Sequence, residues 1–209
     1  MYIKYKGSNI TLILPKKVEW TNVRDFINEV APLEFNNFND IVLDARELLW
    51  IEPLASLLLI SFLEKRILTR PDLTDKLKYY TIRNLNSYAA YIGFYRALSI
   101  PIGKELGEVP GNSQYIPITK IEISQLKEEA RHKHITPTIL LEQEAYRLGN
   151  ILSSKVGQEE SGNLIGYSIF EILRNIIEHS ESECIWFCAQ VWPRKNELEV
   201  AIVRSEERR

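Results

Sequence analysis

The stretch Ile169-Phe170-Glu171-Ile172-Leu173-Arg174-Asn175-Ile176-Ile177-Glu178-His179 constrains the fold more than any other part of the chain. Within a helix from about Asn163 to His179, Ile165, Ile169, Ile172, Leu173 and Ile176 fall in one sector of roughly 100°. That sector must lie on a core. Glu171, Asn175 and Glu178 cluster on nearly the opposite side, with His179 at its edge. The preceding helix starts at Thr136-Pro137, a cap followed by a first-turn proline, and runs to about Lys155, with Gly157 to Gly162 as the break. After the helix come two strands, Glu183–Trp192 and Leu198–Val203, with Pro193-Arg194-Lys195-Asn196 as their turn. The expected order is helix, helix, strand, strand.

The rest of the chain reads as alternating strands and helices. Tyr2–Tyr5 and Ile10–Leu14 are strands joined at Gly7-Ser8-Asn9. A helix capped at Thr21 or Asn22 runs to Val30, with Val23, Phe26, Ile27 and Val30 on one face. Ile41–Ala45 is a buried-type strand, Leu54–Thr69 an apolar helix, and Tyr79–Ile82 a further strand. Asn86–Leu98 reads as a helix interrupted by Gly93. Tyr115–Ile118 is a short strand confined to a sheet edge by Pro117. From Thr119 to His134 the chain turns polar, which suggests a solvated helix or connector. The expectation is an α/β fold in two domains, 1–120 and 121–209.

Composition narrows the function. The chain has 209 residues and a formal net charge of -2, with 45% hydrophobic and 26% charged residues. Neither nucleic acid nor an anionic membrane is favoured by such a balance. No basic run interleaved with aromatics is present. The most apolar stretch, Leu54 to Leu63, is about half the length a membrane span needs. The N-terminus reads as a strand and not a signal peptide, so a cytoplasmic protein is expected. Cys184 and Cys188 share one strand, which holds their Cα atoms roughly 13 Å apart, too far for a disulfide. They read as buried thiols. His132 and His134 could share a face on a strand, but in a charged connector they carry no metal site. No phosphate-binding Gly-x4-Gly-Lys-Ser/Thr loop and no Gly-x-Gly-x-x-Gly occurs.

Glu-x3-Asn on a helix is a weak motif alone, since most helices carry Glu and Asn on their wet side. The full run Glu171-x3-Asn175-x3-His179, inside the order helix, helix, strand, strand, resembles the GHKL ATPase superfamily, and within it the anti-sigma-factor serine kinases. The resemblance implies the N-terminal half of a Bergerat-type α/β sandwich that binds ATP with Mg²⁺. Asn175 would supply a side-chain oxygen to the metal, Glu171 would act as general base, and His179 would line the nucleotide pocket. Arg204 stands where the family's adenine-reading Asp is expected. The Asp-x-Gly-x-Gly box, the lid and the second glycine box are not found in these 209 residues. Nucleotide binding is therefore expected to be poor.

Ile41-Val42-Leu43-Asp44, a short loop, and Glu52-Pro53-Leu54-Ala55 opening a helix resemble a STAS domain, the antagonist module that partners anti-sigma kinases. The likeness covers about residues 1–120. The family's phosphoacceptor serine has no counterpart, because Glu52-Pro53-Leu54-Ala55 carries no hydroxyl; Ser56 reads as a packed serine. Two functions are compatible with these resemblances. One is a regulatory ATP-binding protein that acts on a protein partner; the other is a non-enzymatic interaction module. A homodimer through exposed strands is compatible with either.

Overall fold

A computed structural model describes residues 2–68, 70–74, 76–81, 88–106, 114–155, 157, 159–179, 182–192, 195 and 197–204. The chain is mixed α/β and divides into two compact units, Met1–Pro110 and Gly111–Arg209. The division falls ten residues before the boundary expected at 120. The reason is one strand. The segment expected as Tyr115–Ile118 of the first domain continues to Glu122 and pairs with Cys184–Trp192, so it belongs to the second unit.

The first unit is built on a four-stranded mixed sheet of β1 (Ile3–Lys6), β2 (Asn9–Ile13), β4 (Asp40–Ala45) and β6 (Leu77–Thr81), in that spatial order. β1 and β2 form an antiparallel hairpin in which Lys6 faces Asn9, and Gly7 takes φ +60° in the two-residue loop. A side chain at that loop position would be strained, which is why glycine serves there. β2, β4 and β6 run parallel, so helices must carry the crossovers. A small parallel pair, β3 (Lys17–Val18) and β5 (Trp50–Ile51), lies beside them.

Helix α1 (Trp20–Val30) buries Val23, Phe26 and Val30, as its periodicity requires. Its cap is Glu19, two to three residues earlier than expected. Asn22 sits at the third helical position instead and accepts the Glu19 N–H at 2.9 Å. This reciprocal contact makes Asn22 a partner of the cap. Helix α2 (Pro53–Leu63) starts with a first-turn proline, then widens to a π-helical turn at Glu64–Leu68. The widened turn carries Arg66, whose Nη2 donates to the carbonyls of Ala31 and Leu33 at 2.9 and 2.5 Å. It thereby satisfies carbonyl groups left over at the end of α1.

Beyond α3 (Pro71–Thr74), the expected Asn86–Leu98 helix is two short pieces, α4 (Tyr88–Tyr91) and α5 (Phe94–Ala97). Gly93 between them takes φ +87°, which no continuous helix allows. Residues 86 and 87 lie outside the described residues.

The second unit is a three-stranded antiparallel sheet, β7 (Tyr115–Glu122), β8 (Cys184–Trp192) and β9 (Glu197–Arg204), with helices α6 (Ile123–His132), α7 (Pro137–Lys155) and α8 (Gly162–His179). β7 is an edge strand, and its register with β8 shifts between Ile116 and Thr119, around Pro117. Proline donates no ladder hydrogen bond, so an irregular edge tolerates it. The polar stretch expected as a solvated helix or connector is, from Ile123 to His132, the helix α6, which buries Ile123 and Ala130. The turn expected at 193–196 lies outside the described residues except for Lys195, whose N–H donates to the Trp192 carbonyl at 2.9 Å. No described helix is long and apolar enough to cross a membrane.

Candidate functional site

The candidate site is the outward face of α8, and the packing beneath that helix decides which face is outward. Leu141, Ala145, Leu148 and Leu152 of α7 pack with Ile169, Phe170 and Leu173 of α8 against Ile116, Ile185, Phe187 and Ala189 of the sheet. Ile185, Phe187 and Ala189 alternate along β8, so one face of that strand supplies them. The two helices also approach very closely. A Cβ on Gly149 would lie 2.4 Å from both the Gly162 oxygen and the Gly166 nitrogen. A Cβ on Gly166 would lie 2.9 Å from the Tyr146 Cα. The glycines permit this contact because they have no side chain.

The buried stripe of α8 is therefore Gly162, Gly166, Ile169, Phe170 and Leu173. Sequence periodicity had placed Ile172 in that stripe, yet it is 48% exposed. The counting of isoleucines assumed one partner surface. The helix instead contacts both α7 and the sheet, and the glycine contact turns it so that Phe170 points inward and Ile172 outward.

Glu171, Asn175 and His179 stand one turn apart along the helix, on the side away from Leu173. Asn175 and His179 are exposed, whereas the Glu171 side chain is only 28% exposed. Its cover is Arg174. Glu171 Oε2 accepts a hydrogen bond from Arg174 Nη2 at 2.7 Å. Arg174 Nε lies 3.9 Å from Glu178 Oε2, an ion-pair distance too long for a hydrogen bond. That Nε is shut off from solvent without a hydrogen-bond partner, and the guanidinium lies 5.6 Å from the Phe170 ring centroid. Sequence reasoning passed over Arg174. The signal was present in the spacings Glu171-x2-Arg174 and Arg174-x3-Glu178, both of which pair on a helix surface.

In donor chemistry, the phosphate end of a Mg²⁺–nucleotide fits this face. An amide oxygen and a carboxylate are hard oxygen ligands, and Mg²⁺ is commonly held by one or two such groups together with phosphates and water. At the base end the fit is poor. Arg204 is the last residue of β9, exposed and opposite Ile185 in the ladder; under the resemblance it would offer donors where an adenine amino group needs an acceptor. Among the described residues no group of three or more His, Cys, Asp or Glu side chains gathers in metal-binding geometry.

Elsewhere, Cys184 and Cys188 are buried in β8. In the first unit Asp44 ends the ladder of β4 against Ile13 and holds Arg46 through both carboxylate oxygens, at 2.9 and 2.7 Å. Ser56 is fully buried, and its Oγ donates to the Pro53 carbonyl at 2.6 Å. A hydroxyl held there meets no phosphoryl donor from solvent. His132 Nε2 lies 3.9 Å from Glu128 on the exposed side of α6.

The chain matches no protein-family model, no curated protein and no solved structure.

Proposed function

We infer that the chain is a regulatory protein whose second unit follows the plan of the anti-sigma-factor kinases and related GHKL ATPases, behind a STAS-like first unit. In this reading α8 is the Mg²⁺–nucleotide helix. Asn175 provides a neutral oxygen to the metal, Glu171 accepts a proton from a water or a protein hydroxyl, and His179 borders the nucleotide. One observation carries it: α7, α8, β8 and β9 follow one another, with Glu171 and Asn175 one turn apart on the side of α8 turned from the core. The STAS-like reading is supported by Asp44 one residue from the end of β4, a loop, and α2 opening at Pro53. Phosphotransfer to Ser56 is not part of it, because that hydroxyl is buried.

Arg204 in the adenine-reading position makes the binding weak. Titration calorimetry of the chain with ATP and Mg²⁺ should give a dissociation constant above about 100 µM, equivalent to less than about 5.5 kcal/mol of binding energy. Asn175→Ala should abolish the residual heat while the thermal unfolding curve stays in place, since the side chain is exposed. Tight binding would contradict the weak-site reading, and heat unchanged by Asn175→Ala would remove α8 from it.

A second reading, an interaction module without turnover, is favoured by the ion pair between Glu171 and Arg174. A carboxylate already paired is less available to take a proton. Under that reading Asn175→Ala and Glu171→Gln leave partner binding unchanged.

A further inference from the structure

Arg174 is the one residue of the α8 face that touches both carboxylates beside Asn175. It reaches Glu171 at 2.7 Å and Glu178 at 3.9 Å, with side-chain exposures of 28% for Glu171, 37% for Arg174 and 48% for Glu178. The guanidinium is held near Phe170, and its Nε is enclosed without an acceptor. An arginine so placed has donors left over and is two turns or less from every group the proposed site uses. Guanidinium forks bind phosphate oxygens in pairs and hold them more strongly than they hold a single carboxylate oxygen at a surface.

We propose that Arg174 is a charge clamp: without ligand it closes on Glu171, and it exchanges that carboxylate for the phosphate oxygens of a Mg²⁺–nucleoside triphosphate held at Asn175. The proposal rests on the α8 reading given above and adds its regulation. In the closed form the clamp neutralises Glu171 and occupies Oε2, the oxygen that would otherwise accept a proton. In the exchanged form the phosphate gains a cation and Glu171 is released. The base becomes available only when its substrate is present, which suppresses idle chemistry. Glu178 keeps the guanidinium near the helix surface in both forms.

The test is nuclear magnetic resonance on the full chain. The Arg174 Nε–Hε signal is assigned by its loss in Arg174→Lys, and the Asn175 side-chain amide by its loss in Asn175→Ser. The Glu171 carboxyl carbon is followed in the same samples. Titration with ATP and Mg²⁺ should move all three signals with one concentration dependence. The Glu171 carbon should move toward its position in Arg174→Gln, where no cation at 174 pairs it. Arg174→Lys serves the comparison of ligand concentrations. That variant, which keeps the stem and the charge but loses the fork, should need about tenfold more ligand for the same Asn175 shift. A shift at Asn175 with Arg174 and Glu171 unmoved overturns the clamp and leaves the nucleotide helix standing. Movement of Arg174 alone is general anion attraction and overturns the clamp as well. No movement at any of the three overturns both the clamp and the reading beneath it.

Discussion

Asp44 and Arg46 show how one side chain can tie a strand end. Arg46 donates to both Asp44 oxygens, and this hydrogen bonding holds the carboxyl below the usual carboxylate range despite partial burial, which acts the other way. A carboxylate with a lowered folded pKa contributes stability above its unfolded value of about 3.9, and that contribution fades as pH falls below it. Arg46→Ala should therefore cost about 1 kcal/mol at pH 7 and little at pH 2.5, since Arg46 itself is exposed. Urea melts at the two pH values measure the difference. An equal loss at both would mean that the pair is not what Arg46 contributes. At the same scale, Ser56 and Arg174 mark the limits of reading by residue type. The apolar run around Ser56 is enough to expect burial, whereas Arg174 looks like any solvated residue until its contacts are seen.

At the scale of the element, α8 is the informative case. Its polar side was legible, because Glu171, Asn175 and Glu178 recur at helical spacing. Its rotation was not, because a close contact between Gly149 and Gly166 depends on a second helix that no local pattern reports. Two neighbouring substitutions test the rotation. Leu173→Ala should cost about 2–5 kcal/mol, as a buried leucine does, and Ile172→Ala within about 0.5 kcal/mol. Similar losses at both would return Ile172 to the core. The glycine contact has its own test. Alanine gains about 1 kcal/mol of helix propensity over glycine. A Cβ at 2.4 Å from backbone atoms cannot be accommodated without moving a helix, which costs about 1–3 kcal/mol beyond that gain. Gly149→Ala should thus lower the stability of the chain, and a stabilised variant would contradict the close approach. Strand β7 gives the complementary lesson. Pro117 announced an edge strand correctly, but nothing in the local sequence announced which sheet the strand would join.

For the whole molecule, the division into Met1–Pro110 and Gly111–Arg209 follows from that one strand. Alternation of strands and helices was enough to read an α/β chain, and the boundary was misplaced because strand pairing between β7 and β8 spans many intervening residues. Each unit has its own sheet and core, so fragments 1–110 and 111–209 should each give a cooperative thermal transition by circular dichroism. A fragment 121–209, which lacks most of β7, should not. Equal behaviour of the 111–209 and 121–209 fragments would mean that β7 does not belong to the second core.

The central claim is that the outward face of α8 holds a divalent ion through Asn175 in the presence of nucleotide. Paramagnetic Mn²⁺ substitutes for Mg²⁺ and broadens nearby signals even when binding is weak. With ATP and a trace of Mn²⁺, broadening should centre on the Asn175 side-chain amide and on Glu171, should spare the α7 signals of Leu141 and Ala145, and should vanish without ATP. Broadening centred elsewhere, or equal with and without nucleotide, would contradict the account.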